Sequence, residues 1–106
     1  MTENETQRVE KIRKAAAKER EAVKKLDSLI NAKRTPHIKD QLKLAFFNLD
    51  DVESCLNTFA KNAGPGYKDW WYSMAEYHVQ AAADLRERIQ KLVDDYGVDT
   101  IVEAGG

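Results

Sequence analysis

The chain has 106 residues and a formal net charge of −1, with 33% charged and 42% hydrophobic residues. This length fits one domain, and the small net charge excludes a global field that would draw the protein to nucleic acid or anionic lipid. The two prolines and five glycines do not interrupt the three segments predicted below to be helical, which argues against disorder and against a β-rich fold.

The cysteine content and the hydropathy of the chain indicate the cellular compartment of the protein. Cys55 is the single cysteine, so no disulfide is expected within the chain, and this suits a reducing compartment. The first residues are polar and acidic, and no apolar run approaches the roughly 20 residues of a membrane span. We therefore expect a cytoplasmic protein with no membrane segment.

The first predicted helix spans residues 3–33. Thr2 and Glu5 fit a capping box at its start. Thr35 and Pro36 mark its end, because proline disfavours helical backbone in the residue before it. Apolar residues recur at spacings of three and four, which places them on one stripe. They are Val9, Ile12, Ala16, Val23, Leu26 and Ile30.

The second predicted helix spans residues 36–63 and starts at Pro36, which suits a first helical turn. Gly64 is expected to take the left-handed C-cap conformation, and Pro65 blocks continuation of the helix. The predicted core face is broad. It contains Ile38, Leu42, Ala45, Phe46, Leu49, Val52, Leu56, Phe59, Ala60 and Ala63.

The third predicted helix spans residues 67–96 and is capped by Gly97. A helical domain over residues 1–98 is then followed by a short tail, 99–106. The predicted core face of the third helix is rich in aromatic residues. It contains Tyr67, Trp70, Trp71, Met74, Tyr77, Ala81, Leu85, Ile89, Leu92 and Tyr96.

Three long helices with short connections predict an all-α fold, an up-down-up antiparallel three-helix bundle. In such a bundle the first and third helices run parallel. A helical hairpin whose first helix swaps into another chain is the alternative. The narrow core of so thin a bundle favours a dimer.

Apolar residues outside the predicted core faces indicate an interface. Leu44 and Phe47 lie off the core face of the second helix, and Tyr72 and Val79 lie behind the main stripe of the third. Single exposed apolar residues are ordinary, but neighbours form patches. With Trp71, these residues are predicted to form an interface, and a homodimer is expected since two-fold dimers are common.

The aromatic residues that open the third helix have two interpretations. Tryptophan and tyrosine are typical interface anchors, and they also stack on nucleic-acid bases. Alternatively, they seal one end of the bundle, which is the role expected for Trp70. Tyr72 is expected to be exposed.

The first helix carries a candidate basic face. Residues 1–35 contain 10 Lys and Arg against 6 Asp and Glu, whereas residues 36–106 contain 7 against 12. Attraction between the first helix and its acidic neighbours explains this imbalance, and a solvated face is the simplest interpretation. Contacts to successive phosphates are the alternative. The residues concerned are Lys11, Lys14, Lys18 and Lys25.

Two polar residues lie within the apolar stripes, Glu19 in the first helix and His78 in the third. Both are near the middle of their helices, so a parallel arrangement predicts a buried Glu19–His78 pair, which Asn48 or Glu53 is placed to join. A buried carboxylate needs a partner, and such a pair is either a polar layer that sets helix register or a ligand or metal site.

No catalytic, cofactor or metal motif stands out. A di-metal bundle needs Glu-x-x-His motifs, but Ala75 and Arg34 stand three residues before the two histidines. One cysteine and two histidines are too few for a zinc site within one chain. We therefore expect no enzyme and no cofactor.

The predicted function is a small non-catalytic protein that regulates or inhibits another protein by direct binding. Because the second and third helices are acidic, a basic partner protein is favoured. The alternatives are a nucleic-acid accessory factor that uses the basic face of the first helix, and a ligand- or metal-binding bundle around Glu19 and His78.

Overall fold

The protein is an all-α three-helix bundle, described here in a computed structural model for residues 3–30 and 36–99. The first helix is α1 and the third is α4. The second is one helical rod made of three consecutive pieces: α2, a π-helical segment and the short α3. The elements are α1 (Glu3–Ile30), α2 (Pro36–Glu53), the π segment (Ser54–Phe59), α3 (Ala60–Asn62) and α4 (Lys68–Tyr96).

Helix boundaries agree with the sequence prediction where the structure describes them. The second rod begins at Pro36 and ends at Asn62, one residue earlier than predicted, and α4 ends at Tyr96. Gly97 has a φ of 81° and donates its backbone N–H to the carbonyl oxygen of Val93 over 2.8 Å. The predicted end of the first helix, the Thr35 stop and most of the tail lie outside the described residues.

The turn between the rod and α4 differs from the prediction in one detail. The positive φ falls at Gly66, at 135°, and not at Gly64. Ala63 is already extended, so the helix ends without a left-handed residue directly after it. The backbone N–H of Tyr67 then donates to the carbonyl oxygen of Gly64 over 3.0 Å, which closes the turn.

Ion pairs show that α1 and α4 run parallel. Arg8, near the start of α1, pairs with Asp69, near the start of α4. Farther along both helices, Glu19 pairs with Arg86. These two pairs match the parallel arrangement that an up-down-up bundle requires.

The second rod runs antiparallel to α1. Arg13 of α1 pairs with Glu53, and Arg20, farther along α1, pairs with Asp50, earlier in the second rod. The arginines of α1 therefore attach it to its acidic neighbours, as the uneven charge of the sequence suggested.

The core consists of two clusters that share Ala16 as a neighbour. The first cluster lies toward the end of α1 and holds Val23, Leu26, Ile30, Ile38, Leu42, Ala45, Leu49, Ala82 and Ile89. The second lies toward the start of α1 and holds Val9, Ile12, Val52, Cys55, Leu56, Ala60, Tyr72 and Ala75. All six apolar residues predicted for α1 belong to or pack against this core.

The core face of α4 is rotated from the predicted one. Tyr67, Trp70, Tyr77 and Tyr96 are exposed, although they were predicted to be core. Three of the five buried residues of α4 are alanines. The five are Tyr72, Ala75, Ala82, Ala83 and Ile89. Since α4 must contact both α1 and the second rod, its inner stripe uses small side chains that permit close approach, and the large rings are left on the flank.

Among the residues that the structure describes, no helix is both long enough and apolar enough to cross a membrane.

Candidate functional site

The predicted contact between Glu19 and His78 does not form, because each residue has a different partner. Arg86 donates from Nε to Glu19 Oε2 over 2.8 Å and from Nη2 to Glu19 Oε1 over 3.2 Å. Arg86 lies eight residues after His78, which is about 12 Å along the helix axis. Glu19 is at the level of Arg86, and His78 is therefore beyond its reach.

The Glu19–Arg86 pair is a two-pronged bridge between α1 and α4. Both side chains are largely buried. The hydrogen bond that Arg86 donates to Glu19 raises the pKa of Arg86, against the opposing effect of burial. Both oxygens of the Glu19 carboxylate accept hydrogen bonds from Arg86, and this geometry is that of a structural bridge between two helices.

His78 links α4 to α2. The Asn48 side-chain amide donates to the carbonyl oxygen of Leu44 over 2.9 Å, so its oxygen faces the histidine ring. The His78 Nδ1 lies 2.8 Å from that oxygen and donates to it. Asn48 thus joins His78 at this level, as the sequence suggested, but without Glu19. No group of three or more potential metal ligands occurs within residues 3–30 and 36–99.

The π segment changes which residue faces the core. Leu49, Val52 and Leu56 follow core spacing, and a continuous α-helix would place Phe59 next. In the π segment the Ala60 backbone N–H instead donates to the carbonyl oxygen of Cys55, five residues back. Ala60 therefore takes the core position and is 1% exposed, whereas Phe59 is 46% exposed.

Phe59, once moved out of the core, packs on the tryptophans of α4. Its ring centroid lies 4.5 Å from that of Trp71, with the two rings 15° from parallel. Trp70 meets Trp71 edge to face, with centroids 4.4 Å apart and the rings at 78°. Trp70 is 53% exposed, so its predicted role as a seal of the bundle end is wrong.

Tyr72 is buried, contrary to the prediction that it is exposed. It is 4% exposed, and the Arg8 guanidinium carbon lies 5.6 Å from its ring centroid. Arg8 also binds Asp69 and donates from Nε to Glu76 Oε1 over 2.9 Å. Arg8 covers Tyr72 because its ion pairs fix its guanidinium over α4, a contact that could not be inferred from the spacing of α4 alone.

Val79 is half-buried and packs against the second core cluster. It lines a groove of about 430 Å³ between α1 and α4, together with Ile12 and Ala15. Val79 and Tyr72 therefore do not form the second exposed patch predicted from the sequence.

Leu44 and Phe47 are exposed, as predicted, and Phe47 is 61% exposed. Tyr77 is exposed as well, and its ring meets that of His78 edge to face at 5.6 Å. His78 is the residue that contacts Asn48, one turn after Leu44. The contact between His78 and Asn48 therefore places Tyr77 of α4 and Leu44 of α2 on the same flank of the bundle.

By helical spacing these residues lie on the outer side of the antiparallel pair formed by the second rod and α4, on the flank away from α1 or, for Phe47, directly opposite the core. We name this surface the α2–α4 face. It consists of Leu44, Phe47, Phe59, Trp70, Trp71 and Tyr77. Five exposed large apolar side chains around the half-buried Trp71 exceed the scattered single residues that an ordinary surface shows.

Cys55 is buried among the residues of the second core cluster. Burial, with a smaller contribution from the charge of Asp51, raises the pKa of the thiol. A buried thiol held protonated is a poor nucleophile, and Cys55 is therefore a packing residue.

The predicted basic residues are all exposed: Lys11, Lys14, Lys18 and Lys25. Within the described part of the chain none of them forms an ion pair, whereas Arg8, Arg13 and Arg20 each bind an acidic residue of another helix. The basic charge of α1 is thus divided between arginines used internally and lysines left in solvent.

Comparison of the chain with known protein families, curated proteins and solved structures found no match.

Proposed function

We propose that this protein is a non-catalytic binding protein that regulates another protein by direct contact through the α2–α4 face. The observation that carries the proposal is the exposure of Phe59 beside Trp70 and Trp71. Tryptophan and other aromatic residues are strongly enriched among side chains that dominate binding energy at protein interfaces.

The π segment strengthens this interpretation. A π-helical insertion is uncommon, and such insertions occur frequently at functional sites. Here the insertion costs the core a phenylalanine and places a small alanine there. Exposing a large apolar ring is unfavourable in the free protein. The ring contributes binding energy when a partner protein covers it.

Charge on the α2–α4 face favours a basic partner. Asp51 and Asp84 lie on its outer side by helical spacing, and neither forms an ion pair within the described residues. Arginine or lysine side chains flanking an apolar helix would complement these carboxylates. Such complementarity mainly sets specificity and the rate of association.

Site-specific photocrosslinking in the producing cells tests the proposal. A photoreactive phenylalanine analogue at position 47 is compared with the same analogue at position 29, because Leu29 is also an exposed large apolar residue but belongs to α1. We expect a crosslink to a second protein from position 47 and none from position 29. No protein adduct from position 47, or equal yields from both positions, contradicts the proposal.

Nucleic-acid binding by α1 is a second candidate function, favoured by the four lysines that form no ion pair with the acidic residues the structure describes. From Lys11 to Lys25 they extend over about 21 Å of one helix side, a length that meets several phosphates. Binding at low salt that is lost in the Lys14→Glu, Lys18→Glu double variant supports this function. No binding at low salt excludes it.

A further inference from the structure

We infer that the α2–α4 face is occupied by a second copy of this chain in the resting protein, as a two-fold dimer that a preferred partner displaces. The inference rests on the proposed function in one respect, namely that this face binds protein. It adds that a second copy of the chain covers the face before another partner binds, and it gives a reason why that copy can be displaced.

The exposed apolar area matches what a dimer of this size needs. Five of the six side chains of the α2–α4 face are 46–63% exposed. A large apolar side chain presents about 200 Å² in full, so these five expose on the order of 500 Å². A standard interface buries about 800 Å² per partner, of which about 65% is apolar in homodimers, again about 500 Å².

The positions of the aromatic residues suit a two-fold axis that lies in the plane of the face, where the axis of two copies meeting face to face must lie. Phe47 lies four residues before Asp51 in α2, and Trp70 lies four residues before Met74 in α4. Asp51 and Met74 are at similar heights, because Asn48 contacts His78 and Phe59 contacts Trp71 on either side of them.

A two-fold axis through the point midway between Asp51 and Met74, in the plane of the face and perpendicular to the line from Phe47 to Trp70, turns one copy over onto the other with the two helix pairs crossing. Phe47, about 6 Å along the second rod on one side of that point, then meets Trp70 of the partner subunit, about 6 Å along α4 on the other side. The symmetric contact occurs twice. Ser54 lies close to the axis on the exposed side of the second rod, and its small side chain permits close approach.

The same axis brings two Asp51 carboxylates toward each other, and like charges brought together at an interface oppose association. Within the described residues Asp51 has no basic partner to offset this. Repulsion between the two Asp51 carboxylates therefore lowers the affinity of the homodimer. A basic partner avoids this repulsion and can displace the second copy.

Sedimentation equilibrium across about a hundredfold range of protein concentration tests the dimer. We expect a concentration-dependent monomer–dimer equilibrium in the wild-type protein. Phe47→Glu and Trp70→Glu are each expected to weaken dimerisation by at least about 30-fold, since each places a charge among aromatic anchors. Leu29→Glu, at an equally exposed residue of α1, is the matched control and leaves the equilibrium unchanged.

A further variant acts in the opposite direction and so excludes a general loss of folding. Asp51→Asn removes the repulsion at the axis and is expected to tighten the dimer several-fold. A wild-type protein that stays monomeric throughout overturns the inference, as does Leu29→Glu weakening the dimer as much as Phe47→Glu or Asp51→Asn weakening it.

The two proposals fail separately. A monomeric protein that still crosslinks to another protein from position 47 removes the dimer and leaves the regulatory function in place. A dimer that crosslinks only to itself in the producing cells removes the regulatory function and leaves the dimer.

Discussion

The ring of Phe59 stacks on the indole of Trp71 with centroids 4.5 Å apart, although the spacing of the helix before it would have put Phe59 in the core. The π segment produces this contact by giving the core position to Ala60. The stack joins the end of the second rod to the start of α4, next to the exposed Trp70.

Phe59 and Trp71 are expected to stabilise the fold jointly. Aromatic pairs contribute about 0.5–1.5 kcal/mol beyond the area they bury. A double-mutant cycle with Phe59→Ala and Trp71→Ala should therefore give a coupling of about 1 kcal/mol in urea denaturation. Leu29→Ala serves as a control and should change stability by less than about 0.5 kcal/mol, because Leu29 is exposed and belongs to α1, away from the aromatic stack. Additive effects of the two substitutions would show that the contact between the two rings does not contribute to stability.

Deletion of Thr58 tests the interpretation of the π segment as one inserted residue. Removing it should restore continuous α-helical spacing from Leu56 to Ala60, so the core on both sides keeps its orientation. We expect cooperative thermal unfolding by circular dichroism, with a midpoint within about 5 °C of wild type.

Deletion of Lys43 is the control, since Lys43 is also exposed, lies in regular helix and forms no ion pair within the described residues. Its loss turns every later residue of the rod by about 100° and moves core residues to the surface. We expect cooperative unfolding to be lost. Equal tolerance of both deletions would contradict an insertion at the π segment.

The Glu19–Arg86 bridge should respond asymmetrically to substitution. Removing one partner of a buried ion pair leaves an uncompensated charge, so Arg86→Met is expected to cost about 2–3 kcal/mol of unfolding free energy. The double variant Glu19→Leu, Arg86→Met should recover most of that loss, since apolar replacements of similar volume are often neutral. Urea denaturation of the three variants measures both effects. A double variant that is less stable than Arg86→Met would contradict the expected compensation.

Alkaline pH should destabilise the protein through Cys55. Burial raises the pKa of this thiol above its ordinary value of 9.0, so the unfolded chain loses the proton first as pH rises. The unfolded state then binds fewer protons than the native state, and stability falls with pH. This contribution is fully present below pH 9.0 and is lost as pH rises through the native pKa. Urea denaturation at pH 7 to 10 should show a shallower decline for Cys55→Ala than for wild type, and equal slopes would contradict this.

Much of the fold could be predicted from sequence because its signals are local. Pro36 starts the second rod and Gly97 ends α4 by backbone preferences that act within a few residues. The predicted core stripe of α1 was also correct. The helix α1 contacts the rest of the bundle on one side only, and its apolar residues lie on that side.

The orientation of α4 and the polar contacts could not be predicted in the same way. Helical spacing placed Trp70 and Tyr77 on the core face, but α4 lies between two helices and its inner stripe is set by close approach, which favours Ala75 and Ala82. The partner of Glu19 depended on relative helix height, which sequence spacing does not determine. Arg86 occupies a core-facing position between Ala82 and Ile89, and that placement was the available signal.

Tryptophan fluorescence tests most directly whether the α2–α4 face is a covered surface. Trp70 and Trp71 are the two tryptophans of the chain and both belong to this face. Raising the protein concentration should reduce acrylamide quenching and shift emission to shorter wavelength in the wild-type protein and in Leu29→Glu, but not in Phe47→Glu. Quenching and emission that stay constant at all concentrations, and equal those of Phe47→Glu, would contradict a second copy on this face.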